Sequence, residues 1–239
     1  MSARQVFTAM LLCMALLIGP GQAMGASNLS GSWTVNKIGS FKVPQEWQAV
    51  ELSEVVELMQ NDMEMMKVGQ AALAITPEKT NPLTTLKATH MSIYHLTMHD
   101  SQAYHTASLV FFKDQQSIGD SELRFFGTPI TPEERERVET MIKKVSDMAV
   151  QKIGEVQSNR IGFTKLEMAP LEFIEIGGKQ GYSEGVRIIA TIYGITCPLY
   201  AHGYVFDAKG SLATAVLVTS DAERTFWDPI IRKVVKSYH

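Results

Sequence analysis

The sequence predicts an α+β protein: an antiparallel β-sheet of hairpins flanked by amphipathic helices. Runs of β-branched and aromatic residues, separated by Gly- and Asp-containing turns, indicate strands in the last third of the chain. A long central helix over residues 131–154 and a C-terminal helix both repeat apolar residues at helical spacing. Packing such helices on a sheet buries both apolar surfaces, which is why these observations predict this class.

Residues 1–25 are predicted to be a cleaved signal peptide outside the fold. Arg4 supplies the positive start, Val6 to Ile18 is an uninterrupted apolar run, and Gly19-Pro20-Gly21 breaks a helix. The run is too short for a permanent membrane anchor. We therefore expect export to the periplasm or the extracellular space.

The cleavage position stays open, because Ala23 and Gly25 both satisfy the small-residue rule. Cys13 follows a leucine and not a small residue, so we do not expect a lipoprotein cysteine. Residues 26–239 are predicted to form a single α+β domain, with a possible subdivision near the 131–154 helix.

Composition narrows the class of protein further. After residues 1–25 only Cys197 remains, so no intramolecular disulfide can form and a hydrophobic core must supply the stability. Removal of the signal peptide takes away Arg4 and leaves 21 basic and 25 acidic residues, a net charge of −4. This charge argues against a nucleic-acid partner, because binding to phosphates requires a basic surface. The sequence has no polybasic run that would indicate binding to a lipid surface. It also has no further apolar stretch that would predict a transmembrane anchor in the mature chain.

The first half of the mature chain is predicted to alternate strands and one helix. Phe41 to Val43 is a short edge strand, because Pro44 restricts its neighbour to extended geometry. Ser53 to Met66 is a helix with apolar residues at three- and four-residue spacing. Three further strands are predicted at Leu86 to Met98, Ala103 to Phe112 and Ser121 to Phe126, the first two joined by a polar turn at 99–102.

The central helix has defined ends in the sequence. Thr131-Pro132-Glu133-Glu134 combines an N-cap, a proline at the first helical position and a glutamate that returns the capping bond. Gly154 marks the C-terminal stop.

The C-terminal third is predicted to be a meander followed by a helix. Its strands are Leu171 to Ile176, Val186 to Ile195, Leu199 to Phe206 and Ser211 to Thr219, separated by Gly177-Gly178, by a break at 196–198 and by a turn at 207–210. In the final helix, Asp228 before Pro229 is typical of an N-cap, although a start near Asp221 with a kink at Pro229 fits as well.

Both ends of the mature chain resemble those of a known superfamily. The sequence resembles the PsbP/Mog1/DcrB-like superfamily at two places. One is Phe41-Lys42-Val43-Pro44 followed by Trp47. The other is the last two predicted strands with the turn at 207–210 between them, followed by the helix that ends at Tyr238. The resemblance covers about the first thirty mature residues and the last forty. It implies an antiparallel sheet flanked by helices in exported accessory or binding proteins without a shared catalytic apparatus, and it brings no functional residue.

Gly181-Tyr182-Ser183-Glu184-Gly185 matches the nucleophile elbow of serine hydrolases. That elbow requires a helix directly after the serine, whereas the residues from Val186 onward predict a strand. The expected acid and histidine are available only as Asp207 or Asp221 and His239. A glycine-rich hairpin turn is the simpler interpretation.

Cys197 and His202 are a second candidate pair, since a cysteine nucleophile needs a nearby histidine. A free cysteine more commonly behaves as a small hydrophobic residue. We therefore assign catalysis to neither.

Four of the six histidines, His90, His95, His99 and His105, cluster in the predicted hairpin. Imidazole ligands suit copper, nickel or zinc. His95 and His99 lie about 13 Å apart on one strand, too far to chelate one ion. His95 and His105 could meet across the hairpin, so His95, His99 and His105 are the metal-ligand candidates, and half-exposed polar positions are the plainer interpretation.

A methionine stripe, Met59, Met63 and Met66, is predicted to fill the core of the helix at 53–66, although such stripes also bind soft copper ions.

Together these observations favour an exported, non-enzymatic accessory or binding protein of the bacterial envelope, without a cofactor and with an unidentified protein or small-ligand partner. The alternative is a periplasmic metal-binding protein that uses the His90–His105 cluster. A hydrolase at Ser183 or Cys197 comes third.

Overall fold

The computed structural model describes residues 29–53, 90–100, 103–117, 131–140, 143, 147, 161–192 and 194–239. Within them the chain is mostly antiparallel β-structure with two helical segments, which confirms a sheet-dominated α+β class. No helix in this part of the chain is long and apolar enough to cross a membrane. The strand predicted at 121–126, the helix predicted at 53–66 beyond Ser53, and its methionine stripe lie outside the described residues.

A two-stranded antiparallel sheet opens the described chain. Strands β1 (Leu29–Val35) and β2 (Gly39–Pro44) pair so that Trp33 faces Phe41. The turn between them holds Lys37 at φ 61°, and Gly39 follows at φ 150°. The strand predicted at 41–43 is confirmed as part of β2, but it pairs in this small sheet with a strand that the sequence did not predict.

The main sheet has eight strands among the described residues, all antiparallel. They are β3 (Gln48–Glu51), β4 (His90–His99), β5 (Tyr104–Ser117), β6 (Ile161–Met168), β7 (Glu172–Ile176), β8 (Lys179–Ile192), β9 (Ile195–Ala208) and β10 (Ser211–Ser220). Their order is β3-β4-β5-β10-β9-β8-β6, and β7 pairs with the first part of β8 while β6 pairs with the second part.

Two predicted strand boundaries are wrong. The strand predicted from Val186 begins at Lys179, directly after the Gly177-Gly178 turn. The predicted break at 196–198 is absent, because β9 already begins at Ile195. Pro198 is tolerated inside β9 because β10 ends before it: the last pair between the two strands is Ser220 with Leu199. The Pro198 carbonyl, on the β10 side, accepts a hydrogen bond from the Asp221 backbone N–H. No strand on that side needs the N–H that proline lacks.

Helix α1 comprises residues 132–140, and residues 143 and 147 are also helical. Its start is as predicted: Thr131 N–H donates to Glu134 Oε2 at 2.8 Å, and Glu134 N–H donates to Thr131 Oγ1 at 3.3 Å. The remaining length predicted to residue 154, and the domain subdivision there, stay predictions.

Helix α2 (Arg224–Lys236) closes the fold. The N-cap predicted at Asp228 is wrong, because the helix begins at Arg224 with Glu223 at the cap and Pro229 inside it. The alternative start near Asp221 is closer. Asp228 cannot cap the helix because its carboxylate is bound to His202 on β9.

The main core lies between one face of the large sheet, the β1–β2 sheet and α2. Even positions of β4 and β9 and odd positions of β5 and β10 face it, as strand alternation requires. The largest fully buried side chains in the described chain are Trp227, Tyr204, Phe41, Phe111 and Phe206.

The last residues of the chain are tied to β2. Ser40 and His239 exchange two backbone hydrogen bonds, and the Tyr238 hydroxyl donates to the Ile38 carbonyl at 3.2 Å. The Tyr238 ring fills the space above Gly39 and Gly177, where a Cβ atom would lie 2.5 and 2.7 Å from it. Glycine is required at both positions, because each also has a positive φ.

Candidate functional site

A buried polar cluster joins β9 to α2. The His202 ring lies 2.5 Å, Nδ1 to Oδ1, from Asp228, and its Nδ1 is 3.0 Å from the Tyr200 hydroxyl. Tyr204 stacks on the His202 ring at 4.5 Å and donates to Asp228 Oδ1 at 3.3 Å. Because alternate residues of a strand share a face, residues 200, 202 and 204 all lie on the face that α2 covers. The Asp228 carboxylate therefore interacts with all three side chains.

Burial shifts the proton affinities in this cluster. It raises the pKa of both Tyr200 and Tyr204, and the nearby Asp228 charge raises them further. Burial by itself would raise the pKa of Asp228, but the hydrogen bond and charge of His202 and the tyrosine hydroxyls outweigh it. The pKa of Asp228 therefore lies below its ordinary value of 3.8, and the carboxylate is ionised at neutral pH.

Asp228→Asn is expected to lower the free energy of unfolding by about 1–3 kcal/mol at neutral pH, because the asparagine removes a charged acceptor from buried donors. A carboxyl whose folded pKa is depressed stabilises the fold fully above the unfolded pKa and loses that stabilisation as the pH falls through the folded pKa. The difference between wild type and variant should thus hold above pH 3.8 and shrink below it. Urea unfolding of both proteins across the acid range measures this. A difference that grows on acidification would contradict the assignment.

Gly185 lies opposite His202 in the β8–β9 register, and Tyr200 occupies the space above it. A Cβ at this position would be 2.8 Å from the Tyr200 hydroxyl. Gly185→Ala is therefore expected to destabilise the protein by about 1–3 kcal/mol through overpacking. Gly162→Ala is the matched strand control, since its Cβ would meet nothing within 4 Å. Equal denaturant midpoints for the two variants would refute the close contact.

A second buried cluster lies at the start of α2. His105 on β5 is fully buried, its Nδ1 is 2.8 Å from Glu223 Oε2, and its Nε2 is 3.2 Å from Asp100 Oδ2. The ring also stacks on Phe226 at 3.6 Å. Since carboxylates only accept hydrogen bonds, a ring that donates from both nitrogens satisfies both partners. The cluster ties the β4–β5 turn to the start of α2.

Ser183 does not lie in a turn. It sits inside β8 opposite Tyr204, is 2% exposed, and its hydroxyl has no hydrogen-bond partner among the described residues. The hairpin-turn interpretation of Gly181 to Gly185 is therefore wrong, as is the strand-to-helix turn of an elbow. The fold does place Ser183 on the same face as His202, and not beside the His239 that the sequence offered. The carboxylate bound to His202 is Asp228 and neither Asp207 nor Asp221, and the Ser183 hydroxyl makes no bond to that ring.

Cys197 and His202 are not brought together. Five positions apart on one continuous strand, they point to opposite faces of the sheet. Cys197 is buried opposite Ala190, and its thiol donates to the Ile195 carbonyl at 3.6 Å.

The histidines of the hairpin are also separated. His95 pairs with Ser108 and His105 with Met98, so the two rings lie on opposite faces of the sheet. His99 is exposed beside Tyr104. In the described part of the chain no three histidine, cysteine or carboxylate side chains are placed so that they could hold a metal ion together. The expected meeting of His95 and His105 across the hairpin is therefore wrong.

Fold and site together define a sheet-dominated α+β protein with buried histidine–carboxylate clusters. Neither a known protein family nor a curated protein matches the chain. The solution structure of cyanobacterial PsbP (CyanoP) from Synechocystis sp. PCC 6803 is similar at 12% identity, covering 92% of this chain and 97% of that chain with a TM-score of 0.37. The crystal structure of LpqN, involved in cell envelope biogenesis of Mycobacterium tuberculosis, is similar at 14% identity, covering 86% and 87% with a TM-score of 0.29. Neither likeness assigns a function to this chain.

Proposed function

We propose that this chain is an exported, non-enzymatic protein that binds another component of the bacterial cell envelope or a small ligand. The placement of the two candidate nucleophiles supports the non-enzymatic part. Ser183 is buried within a strand and has no hydrogen bond to a base among the residues that the structure describes, and Cys197 points away from His202. A nucleophile that is neither accessible nor activated does not support covalent catalysis.

Export is supported by the pattern of residues 1–25. The test is a fusion of this segment to an alkaline phosphatase that is active only after its disulfides form outside the cytoplasm. We expect active fusion protein. Leu11→Arg with Leu12→Arg, which interrupts the apolar run, should abolish the activity. A wild-type fusion protein that accumulates to a normal level but is inactive would contradict the export proposal.

The absence of catalysis is tested with covalent probes on the folded protein. A fluorophosphonate should leave Ser183 unlabelled, and iodoacetamide should modify Cys197 only after denaturation. Ser183→Ala and Cys197→Ala identify the modified residue. Rapid labelling of the native protein that either variant abolishes would favour the hydrolase instead.

Metal binding stays a prediction for His95, His99 and His105. Metal content after purification tests it, and a stoichiometric ion lost in His95→Ala would support this alternative.

A further inference from the structure

One end of the main sheet gathers four basic side chains from distant parts of the chain. Lys37 lies in the β1–β2 turn, Lys209 in the β9–β10 turn, and His90 and Lys113 form a cross-strand pair on β4 and β5. Lys113 Nζ donates to the Lys37 carbonyl at 2.9 Å, which ties the pair to the first turn. We call Lys37, His90, Lys113 and Lys209 the basic end.

These side chains lie close enough to affect one another's protonation. Burial and then the charge of Lys209 lower the pKa of Lys113, and burial and then the charge of Lys37 lower the pKa of His90. Asp207 is near, but it is ion-paired with Lys179. Glu51 also acts on His90 and opposes the lowering of its pKa. Among the described residues none of the three lysines is ion-paired with a carboxylate, so the ammonium groups at this end outnumber the described carboxylates that act on them.

The two exposed lysines lie in tight hairpin turns. Lys37 and Lys209 have φ of 61° and 57°, and they are the only non-glycine residues with positive φ in the described chain. Tight hairpin turns require positive φ at their central positions, so the turns themselves account for this conformation. Glycine or asparagine would adopt it more readily than lysine does.

We propose that the basic end binds the phosphate groups of anionic phospholipid headgroups. Lysine ammonium groups bind phosphate as point charges. Lys37 and Lys209 are exposed in two turns that both lie near the half-buried Lys113, which pairs with His90. Several cations at one end of the sheet suit a surface that presents many phosphates. The sequence shows no basic run because the four residues are brought together only by the fold. The inference rests on the proposed function, since an exported protein meets the outer surface of a membrane.

The experiment is co-sedimentation of protein purified from cells that express the full chain. Vesicles of equal parts phosphatidylglycerol and phosphatidylcholine should sediment the protein, and phosphatidylcholine alone should not. Raised salt should release it, because exposed charges are screened. Each lysine near an anionic membrane surface contributes about fivefold to the affinity for vesicles, so the double variant Lys37→Asn with Lys209→Asn should bind about 25-fold more weakly. Asparagine tolerates the left-handed conformation, so the melting temperature should not fall.

Lys42→Gln with Lys143→Gln is the matched control, because both lysines are exposed outside the basic end and the net charge changes equally. The control should bind within about twofold of wild type. No binding to anionic vesicles, or equal loss in both double variants, would overturn the proposal. Release by millimolar inorganic phosphate at constant ionic strength would overturn it in favour of a free-phosphate site. An active alkaline phosphatase fusion beside a failed vesicle assay would reject only the lipid proposal and leave export standing.

Discussion

Trp227→Ala is expected to lower the free energy of unfolding by about 3–5 kcal/mol, among the largest effects of a single substitution. Trp227 is fully buried on α2, and its ring contacts Phe226 at 5.2 Å and Trp47 at 6.2 Å, centroid to centroid. Its removal leaves a cavity where α2 packs against Trp47, in the connection between β2 and β3. Equilibrium unfolding in guanidinium chloride measures the loss.

Trp227→Phe is the informative control. The Trp227 indole nitrogen is buried without a hydrogen-bond partner in the described part of the chain, so phenylalanine keeps an aromatic ring and removes an unsatisfied donor. We expect this variant to lose about 1–2 kcal/mol. Equal losses for alanine and phenylalanine would show that the ring itself does not hold the helix to the sheet.

His105→Leu is expected to destabilise the fold by a similar amount, about 3–5 kcal/mol, because it leaves an uncompensated buried charge. Glu223 is 2% exposed, and its Oε1 already has no partner among the described residues. Without His105 neither of its oxygens would be paired. Unfolding at neutral pH, followed by tryptophan fluorescence, measures the effect.

The double variant His105→Leu with Glu223→Leu separates charge pairing from packing. Replacing both members of a buried pair by apolar residues is often close to neutral, so the double variant should be more stable than His105→Leu alone. Additive losses from the two single variants would mean that packing, and not the charge left behind, dominates.

Local patterns predicted the parts of the fold that local chemistry decides. The 207–210 turn between β9 and β10 and the capping box at Thr131 depend on neighbouring residues only, and both are present. Strands β3 and β6 were missed because their partners, β4 and β8, lie further along the chain. Strand β1 was also missed, although its partner β2 follows it directly. The spacing of Gly181 and Gly185 predicts a turn, but both glycines lie in a strand and permit close approach of the neighbouring strand. A Cβ on Gly181 would lie 2.6 Å from the Val205 carbonyl oxygen.

The buried clusters were beyond the sequence for a related reason. His202 and Asp228 are 26 residues apart, and His105 and Glu223 are 118 residues apart. Only the docking of α2 brings either pair together. One signal was present: Asp228 lies beside Trp227 and one turn from Ile231, on the apolar side of the helix, where a carboxylate requires a buried partner.

The attachment of Tyr238 and His239 to β2 also sets the order of folding. The bond from Tyr238 to Ile38 closes a loop of 200 residues, and contacts of such long range slow folding because the entropy of closure is lost before the contact forms. The contacts of Ile38 and Ser40 with Tyr238 and His239 cannot form until the whole chain has been synthesised.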